Sequence, residues 1–476
     1  MIQDSNSSDN VAITNPGAVK WMMLPLSPVI AILTGYAAYR WGGMELLAAK
    51  TLSIALWTAL WWIFEPVPIP VTSLLPLALL PMFGVLTDKQ VAMAYGHKLV
   101  LLLMGGFLLS KAMEKSGVHR RLALMMVNLC GGGGGRGLVL GFMLAAAMLS
   151  MWISNTATTL MLLPMALAIL EGAKDRRVTI PLLLGIAYAA NVGGLGTPIG
   201  TTPNLVFIEQ YKEFSGEEFS FSDWMKHGIP VVFCMVPIIW LWLTRNLKDA
   251  APLQLPKVGT WRQEEVRTLI IFAMTAIAWA TRKEPFGGWS EAFGVPGVND
   301  ASVAFISVIF LFCLPSGMRK GDKLLDWETA VKIPWGLLLL FGGGIAIASA
   351  FKTSGLSEIV AGLLTGLQDV PVFALIFIIC LVVTFLTEMT SNTATTILLM
   401  PILGAAAKAT NVDPAILMLP AVLSASCAFM LPVATAPNAV VFGTGKFSTT
   451  RMMREGFALN LIGTFIISCL CCLMLR

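Results

Sequence analysis

The chain is 476 residues long, 56% hydrophobic and only 12% charged, with a formal net charge of +5. So little charge cannot cover a water-soluble globule of this size, which excludes soluble enzymes and nucleic-acid-binding proteins as classes. The excess of Lys and Arg is accounted for by loops that fix orientation in a membrane.

Along the chain, residues 1–20 are polar (Asp4, Ser5, Asn6, Asp9, Asn10) and read as a cytoplasmic lead without a cleaved signal peptide. The first transmembrane segment occupies 21–43, its apolar run ending at 39. Further spans of about 20 residues are predicted at 44–64, 67–84, 97–114, 181–208, 229–244, 266–281, 301–317, 334–351, 414–442 and 456–474. Two more apolar stretches, 137–171 and 371–408, are interrupted by Ser-Asn-Thr and read as re-entrant hairpins, which a bilayer tolerates only where the tip is buried or lines a wet cavity. The expected fold is an all-α polytopic membrane protein of about 11 transmembrane helices plus two re-entrant helical hairpins.

Lys115, Arg120, Arg121, Arg136, Arg176, Arg177, Lys257, Arg262 and Arg454 collect on one side of this topology, opposite the acidic loop Glu209, Glu213, Glu217, Glu218 and Asp223. The positive-inside rule then puts the N-terminus in the cytoplasm of an inner membrane, with the first hairpin entering from inside and the second from outside.

Ser154-Asn155-Thr156-Ala157-Thr158-Thr159 recurs letter for letter as Ser391-Asn392-Thr393-Ala394-Thr395-Thr396, each followed by an apolar run closing on Pro164 or Pro401. Gly105-Gly106 is echoed by Gly343-Gly344, and Pro198, Thr201 and Pro203-Asn204 by Pro432, Thr435 and Pro437-Asn438. Residues 44–260 and 261–476 are therefore read as two repeats. An odd number of full spans per unit inverts one relative to the other, the plan of many secondary transporters, whose cargo binds where broken helices meet.

A Ser-Asn-Thr tip between two short helices offers hydroxyl, amide and freed carbonyl oxygens to a partly dehydrated cation. The helix beginning just after it offers its positive end and amide donors to an anion. The prolines of 196–204 and 431–438 break apolar helices and bare carbonyls. One such motif reads equally well as Ser and Thr bonding back to the preceding turn. Two copies, each with a proline-broken partner, favour a binding site. Glu388, nearest to a tip, is read either as a functional carboxylate or as a buried one satisfied by the hydroxyls of Thr384, Thr387 or Thr390. No Arg or Lys lies within a tip or a break, so a multivalent anion there needs co-bound cations, and coupling follows.

Other motifs carry no chemistry. Gly132 to Gly137 satisfies GxGxxG inside a glycine run with no preceding strand, and Gly443-Thr444-Gly445-Lys446 lacks the first glycine of a phosphate loop. The eight cysteines form no metal-spaced set and read as packing residues, and the three histidines make no HExxH, so no enzyme centre is expected.

With both Ser-Asn-Thr motifs, Trp61-Trp62-Ile63-Phe64-Glu65-Pro66-Val67-Pro68 leading into Thr72 to Pro76, and Ser426 to Ala434 running through Asn438 to Val441, the whole chain resembles the divalent anion/sodium symporter family. The resemblance implies a homodimer in membrane lipid, with scaffold and transport domains and elevator motion. It implies one sodium site from Ser150, Ser154, Asn155 and Gly200 and another from Thr387, Thr390, Asn392 and Ala434. It implies a substrate site from Asn155, Thr156, Thr201, Thr202, Asn392, Thr393, Thr435 and Ala436. The expected cargo is a C4-dicarboxylate such as succinate, malate or fumarate imported with Na⁺. A citrate or tricarboxylate carrier, or a sodium-independent dicarboxylate exchanger of the same fold, is the alternative.

Overall fold

A computed structural model describes residues 16–131, 134–171, 176–247, 259–283, 288–317, 321–363 and 371–475. Most of the polar lead therefore lies outside the described residues, as do Gly132, Gly133, Lys248, Lys257, Arg319 and Lys320. Among the described residues every regular element is helical, apart from one isolated bridge between Pro315 and Lys323.

Helix α1 spans Pro16–Arg40, so it begins inside the segment read as lead, with Pro16 at its start where a missing N–H costs nothing. It packs on α2, Leu46–Phe64, which Glu65 closes in the left-handed region (φ 47°) ahead of Pro66. The predicted span 67–84 is divided at Ser73 into α3, Ile69–Thr72, and α4, Leu74–Met82. Then come α5, Asp88–Tyr95, capped by a Thr87–Gln90 capping box, α6, Lys98–Ser116, and α7, Val118–Gly131.

The first hairpin is α8, Gly135–Ser150, with α9, Asn155–Glu171. The first broken helix is α10, Thr179–Gly193, with α11, Thr202–Ser215. Next is α12, Phe221–Thr244, again opened by a capping box, from Ser220 to Asp223.

The second half follows with α13, Gln263–Ala280; α14, Gly288–Ala292; α15, Asp300–Cys313; α16, Trp327–Ala330; and α17, Trp335–Thr353. Helix α18, Leu356–Leu363, leads to the second hairpin, α19, Val372–Thr387, and α20, Asn392–Ala409. The second broken helix is α21, Pro414–Ala425, and α22, Ala436–Phe442, before α23, Thr449–Met474. Among the described residues seven helical stretches are long and apolar enough to cross a bilayer, and the interrupted ones supply shorter apolar pieces. This is a multi-pass membrane protein.

One expectation differs in detail. Pro164 and Pro401 do not close their runs but sit inside α9 and α20, which continue to Glu171 and Ala409. Close helix neighbours can re-satisfy a carbonyl freed by an interior proline.

The helices form two packed sets. Hairpin α8–α9, broken helix α10–α11 and α12 interlock with α19–α23, while α2–α6 pack with α13, α15 and α17. Two glycines let long helices lie directly on the breaks. A Cβ on Gly228 of α12 would come within 2.1 Å of the Leu195 carbonyl oxygen, and one on Gly456 of α23 within 2.1 Å of the Phe429 carbonyl oxygen. Only glycine permits backbone this near to a broken segment whose carbonyls must be held without a regular helix.

Candidate functional site

Each hairpin tip places a hydroxyl at the end of one helix against the asparagine that begins the next. At the first, buried Ser150 Oγ is hydrogen-bonded to Asn155 Oδ1 and lies 2.7 Å from the Ala190 carbonyl oxygen. At the second, Thr387 Oγ1 is 2.7 Å from Asn392 Oδ1 and 2.8 Å from the Ala425 carbonyl oxygen. A hydroxyl has one proton, yet each of these faces two acceptors, so both clusters hold more lone pairs than protons to fill them. Such a set suits a hard cation with oxygen ligands.

The breaks are built alike. Asn204 Nδ2 donates to the Gly194 and Thr197 carbonyls at 2.9 and 2.8 Å, and Asn438 Nδ2 donates to those of Ala428 and Leu431 at 3.0 and 3.1 Å. Each asparagine amide thus holds carbonyls that no helix can satisfy. Gly200 fits because a Cβ there would lie 2.4 Å from the Gly194 carbonyl oxygen, and a Cβ on Gly194 would lie 2.8 Å from Asn155 Oδ1. Tip and break therefore converge at backbone contact.

The break and tip of each half are tied differently. Thr197 Oγ1 donates to the Met151 carbonyl in the first half. In the second, Glu388 Oε1 accepts from the backbone N–H of Phe429 at 2.7 Å and Met430 at 2.9 Å and from Asn460 Nδ2 at 2.8 Å, while Oε2 accepts from Leu431 N–H at 2.9 Å. Four donors around one carboxyl suit an acceptor-only carboxylate. The hydroxyls of Thr384, Thr387 and Thr390 are not its partners. It braces the broken helix.

A cavity of about 620 Å³ opens between the two tips. It is lined by Asn155, Thr156, Thr201, Thr202, Asn392, Thr393, Thr435 and Ala436, and by Ser154, Gly200, Thr390 and Ala434. Ser150 and Thr387 stand behind the asparagines, fully buried. Thr390 is turned along its own chain, donating to the Leu386 carbonyl at 2.9 Å and meeting Thr395 Oγ1 at 2.6 Å. Ser154 Oγ accepts from Ala157 N–H at 3.4 Å.

Among the lining residues that had escaped sequence reasoning, three carry an amide or a charge. Asn191, 1% exposed on α10, reaches across to the second break, and a lone amide within the apolar run 181–193 was the signal for it. Lys20 and Glu65, 3.7 Å apart and about half exposed, also line the cavity. At the end of the molecule carrying the acidic loop, ion pairs tie the two helix sets together. Glu218 meets Lys98 at 2.5 Å and also Lys283, and Glu213 meets Lys352 at 2.5 Å. Partial burial opposes ionisation of Glu218, but Lys283 and Lys98 outweigh it and hold the carboxyl down at about 2.

Residues 59–419 match the citrate transporter family, CitMHS. A protein from Staphylococcus saprophyticus, the sodium-dependent dicarboxylate transporter SdcS, is 38% identical over 93% of this chain and 89% of its own length. SdcS of Staphylococcus aureus is 40% identical over 90% of this chain and 85% of its own. The chain belongs to the divalent anion/sodium symporter family. Membership makes it a transporter and not an enzyme. Among solved structures, the Alcanivorax borkumensis YdaH transporter aligns with a TM-score of 0.58 at 14% identity over 82% of this chain and 87% of its own. Neisseria gonorrhoeae MtrF aligns at 0.56 and 12% identity over 96% and 95%. At such identities the likeness shows the symporter's fold alone.

Proposed function

We propose that the protein is a sodium-coupled symporter that imports C4-dicarboxylates such as succinate, malate or fumarate. The observation that carries the reading is the pair of oxygen-rich hydroxyl–asparagine clusters flanking one cavity whose tips and breaks contain no cationic side chain. One cation binds at Ser150, Ser154, Asn155 and Gly200, the other at Thr387, Thr390, Asn392 and Ala434. The dicarboxylate lies between Asn155-Thr156 and Asn392-Thr393, walled by Thr201, Thr202, Thr435 and Ala436. Two bound cations and the amide donors at the starts of α9 and α20 then supply the positive potential a dianion needs. The names of the staphylococcal relatives support the same cargo and ion. Citrate carriage, or exchange without sodium, is the alternative within this fold.

The two halves are inverted repeats of one plan, which the matching hydroxyl–asparagine pairs at the tips and the matching asparagine-held carbonyls at the breaks support. In an elevator cycle the set containing the hairpins slides against the other set. Lys20 and Glu65, which line the cavity, and the ion pairs at the acidic end support a state open to the cytoplasm, with the N-terminus inside an inner membrane. On the family resemblance the assembly is a dimer.

Succinate uptake into proteoliposomes tests the central claim: it requires Na⁺ and fails in K⁺ or choline, and equal uptake in all three salts overturns it. Impermeant maleimide labels a single cysteine at Ser215 from outside and at Arg176 from inside, and the reverse pattern overturns the orientation.

A further inference from the structure

The two breaks differ at one polar contact, and it fixes the direction of a proton in the cavity. Asn438 spends both Nδ2 protons on the Ala428 and Leu431 carbonyls, so its buried Oδ1 is left as an acceptor. Asn191 Nδ2 donates to that oxygen at 3.2 Å and to Thr435 Oγ1 at 3.0 Å. The amide orientation of Asn191 is thus determined, because its oxygen in place of its nitrogen would set acceptor against acceptor.

Thr435 Oγ1 also accepts from Asn438 backbone N–H at 3.2 Å. Two donors fill both lone pairs of the hydroxyl, and among the described residues no acceptor takes its proton. Thr435 lines the cavity, and its proton is left to point there. In the other break Thr201 makes no such cap with its side chain, and Asn204 Oδ1 is buried without a partner among the described residues.

We infer that Asn191 is a positioning residue of transport: it commits the Thr435 hydroxyl to donating to a substrate carboxylate, whereas Thr201 remains a free rotor. The inference rests on the proposed substrate site containing Thr435. Its consequence is an asymmetric cavity in which one carboxylate of the cargo meets a preset donor before any rotamer is ordered.

The test is a double-mutant cycle on sodium-driven succinate uptake, using Asn191→Ala, Thr435→Val and the pair, with Na⁺-dependent thermal stabilisation as the control for folding and cation binding. Each single variant is expected to raise the succinate KM roughly tenfold, the loss of one donor to a carboxylate, with Vmax and sodium stabilisation nearly unchanged. The pair is expected to be no worse than Thr435→Val alone, and Thr435→Ser to stay close to the parent. Asn191→Ser, which keeps a polar group in the space, runs in parallel so that the cycle does not depend on one variant folding. Additive losses approaching a hundredfold, or an Asn191→Ala KM equal to the parent's, overturn the role of Asn191 alone. A Thr435→Val protein with unchanged succinate KM overturns both this inference and the substrate site on which it rests.

Discussion

Replacing Glu388 with Gln keeps the shape of the side chain and exchanges one acceptor oxygen for a donor. In the parent, Oε1 receives three donors and Oε2 receives Leu431 N–H at 2.9 Å. The least costly placement of the new NH₂ is opposite Leu431, where two donors then face each other. A buried donor left without a partner costs about 1–3 kcal/mol, and each of the other three bonds falls from charge-assisted to neutral, about 1 kcal/mol apiece. Relief from burying a charge offsets part of this sum, leaving a net loss of roughly 2–4 kcal/mol concentrated at the second break. Leu431 is also where the Ala434 turn is anchored, since Ala434 N–H donates to the Leu431 carbonyl at 3.2 Å and Asn438 Nδ2 to the same carbonyl at 3.1 Å. The Ala434 carbonyl therefore moves with Leu431, and sodium affinity is expected to fall by roughly tenfold or more. Sodium titration of thermal stability in detergent, without substrate, reads both effects in one experiment. A Glu388→Gln protein with parental stability and parental sodium dependence would refute the bracing role.

At Asn392, replacement by Asp puts a negative charge where an amide donor faced the cargo; at about 4 Å and an effective dielectric near 20 the repulsion is roughly 4 kcal/mol, on the order of a thousandfold in succinate affinity. Sodium binding should survive or strengthen, and loss of sodium stabilisation with succinate binding retained would show that Asn392 serves the cation alone. Glu209 gives a pH signature: burial pushes its carboxyl up to about 7, with Lys98 and Lys212 opposing the rise and Glu213 and Glu218 adding to it. Against an ordinary 4.5, the folded chain keeps this proton while the unfolded chain releases it, so its contribution to stability is full below about 4.5 and is lost as pH rises towards 7. Glu209→Gln should flatten that slope and raise Tm at pH 8, and an unchanged Tm profile would contradict it. Gly228→Ala and Gly456→Ala each drive a Cβ to 2.1 Å from a break carbonyl, and each should cost about 1–3 kcal/mol in thermal stability, whereas Gly216→Ala, with open space around its Cβ, measures backbone strain alone.

The sequence by itself determined where the chain meets lipid and where it is interrupted. A bilayer demands long apolar runs, and every polar group inside one must have a reason, so Ser154-Asn155-Thr156, Ser391-Asn392-Thr393 and the prolines of 196–204 and 431–438 stood out against a simple background. All eight residues that the family resemblance implied for the substrate line one cavity, four from the letter-for-letter repeat and four from the breaks, and it is the packing of the two halves that brings them together. What the tertiary structure decided are contacts across long separations in the chain. Glu388 meets backbone N–H groups about 40 residues away and Asn460 farther still, rather than the threonines beside it. Asn191 finds its partners in the other half of the chain, at Thr435 and Asn438. The division at Ser73 and the continuation of α9 and α20 past Pro164 and Pro401 likewise depend on what packs alongside. Sequence periodicity records which face of a segment is apolar. Which donor fills a given lone pair is settled only when distant helices bring their few polar groups together, in a membrane interior that offers those groups almost nothing else to bond.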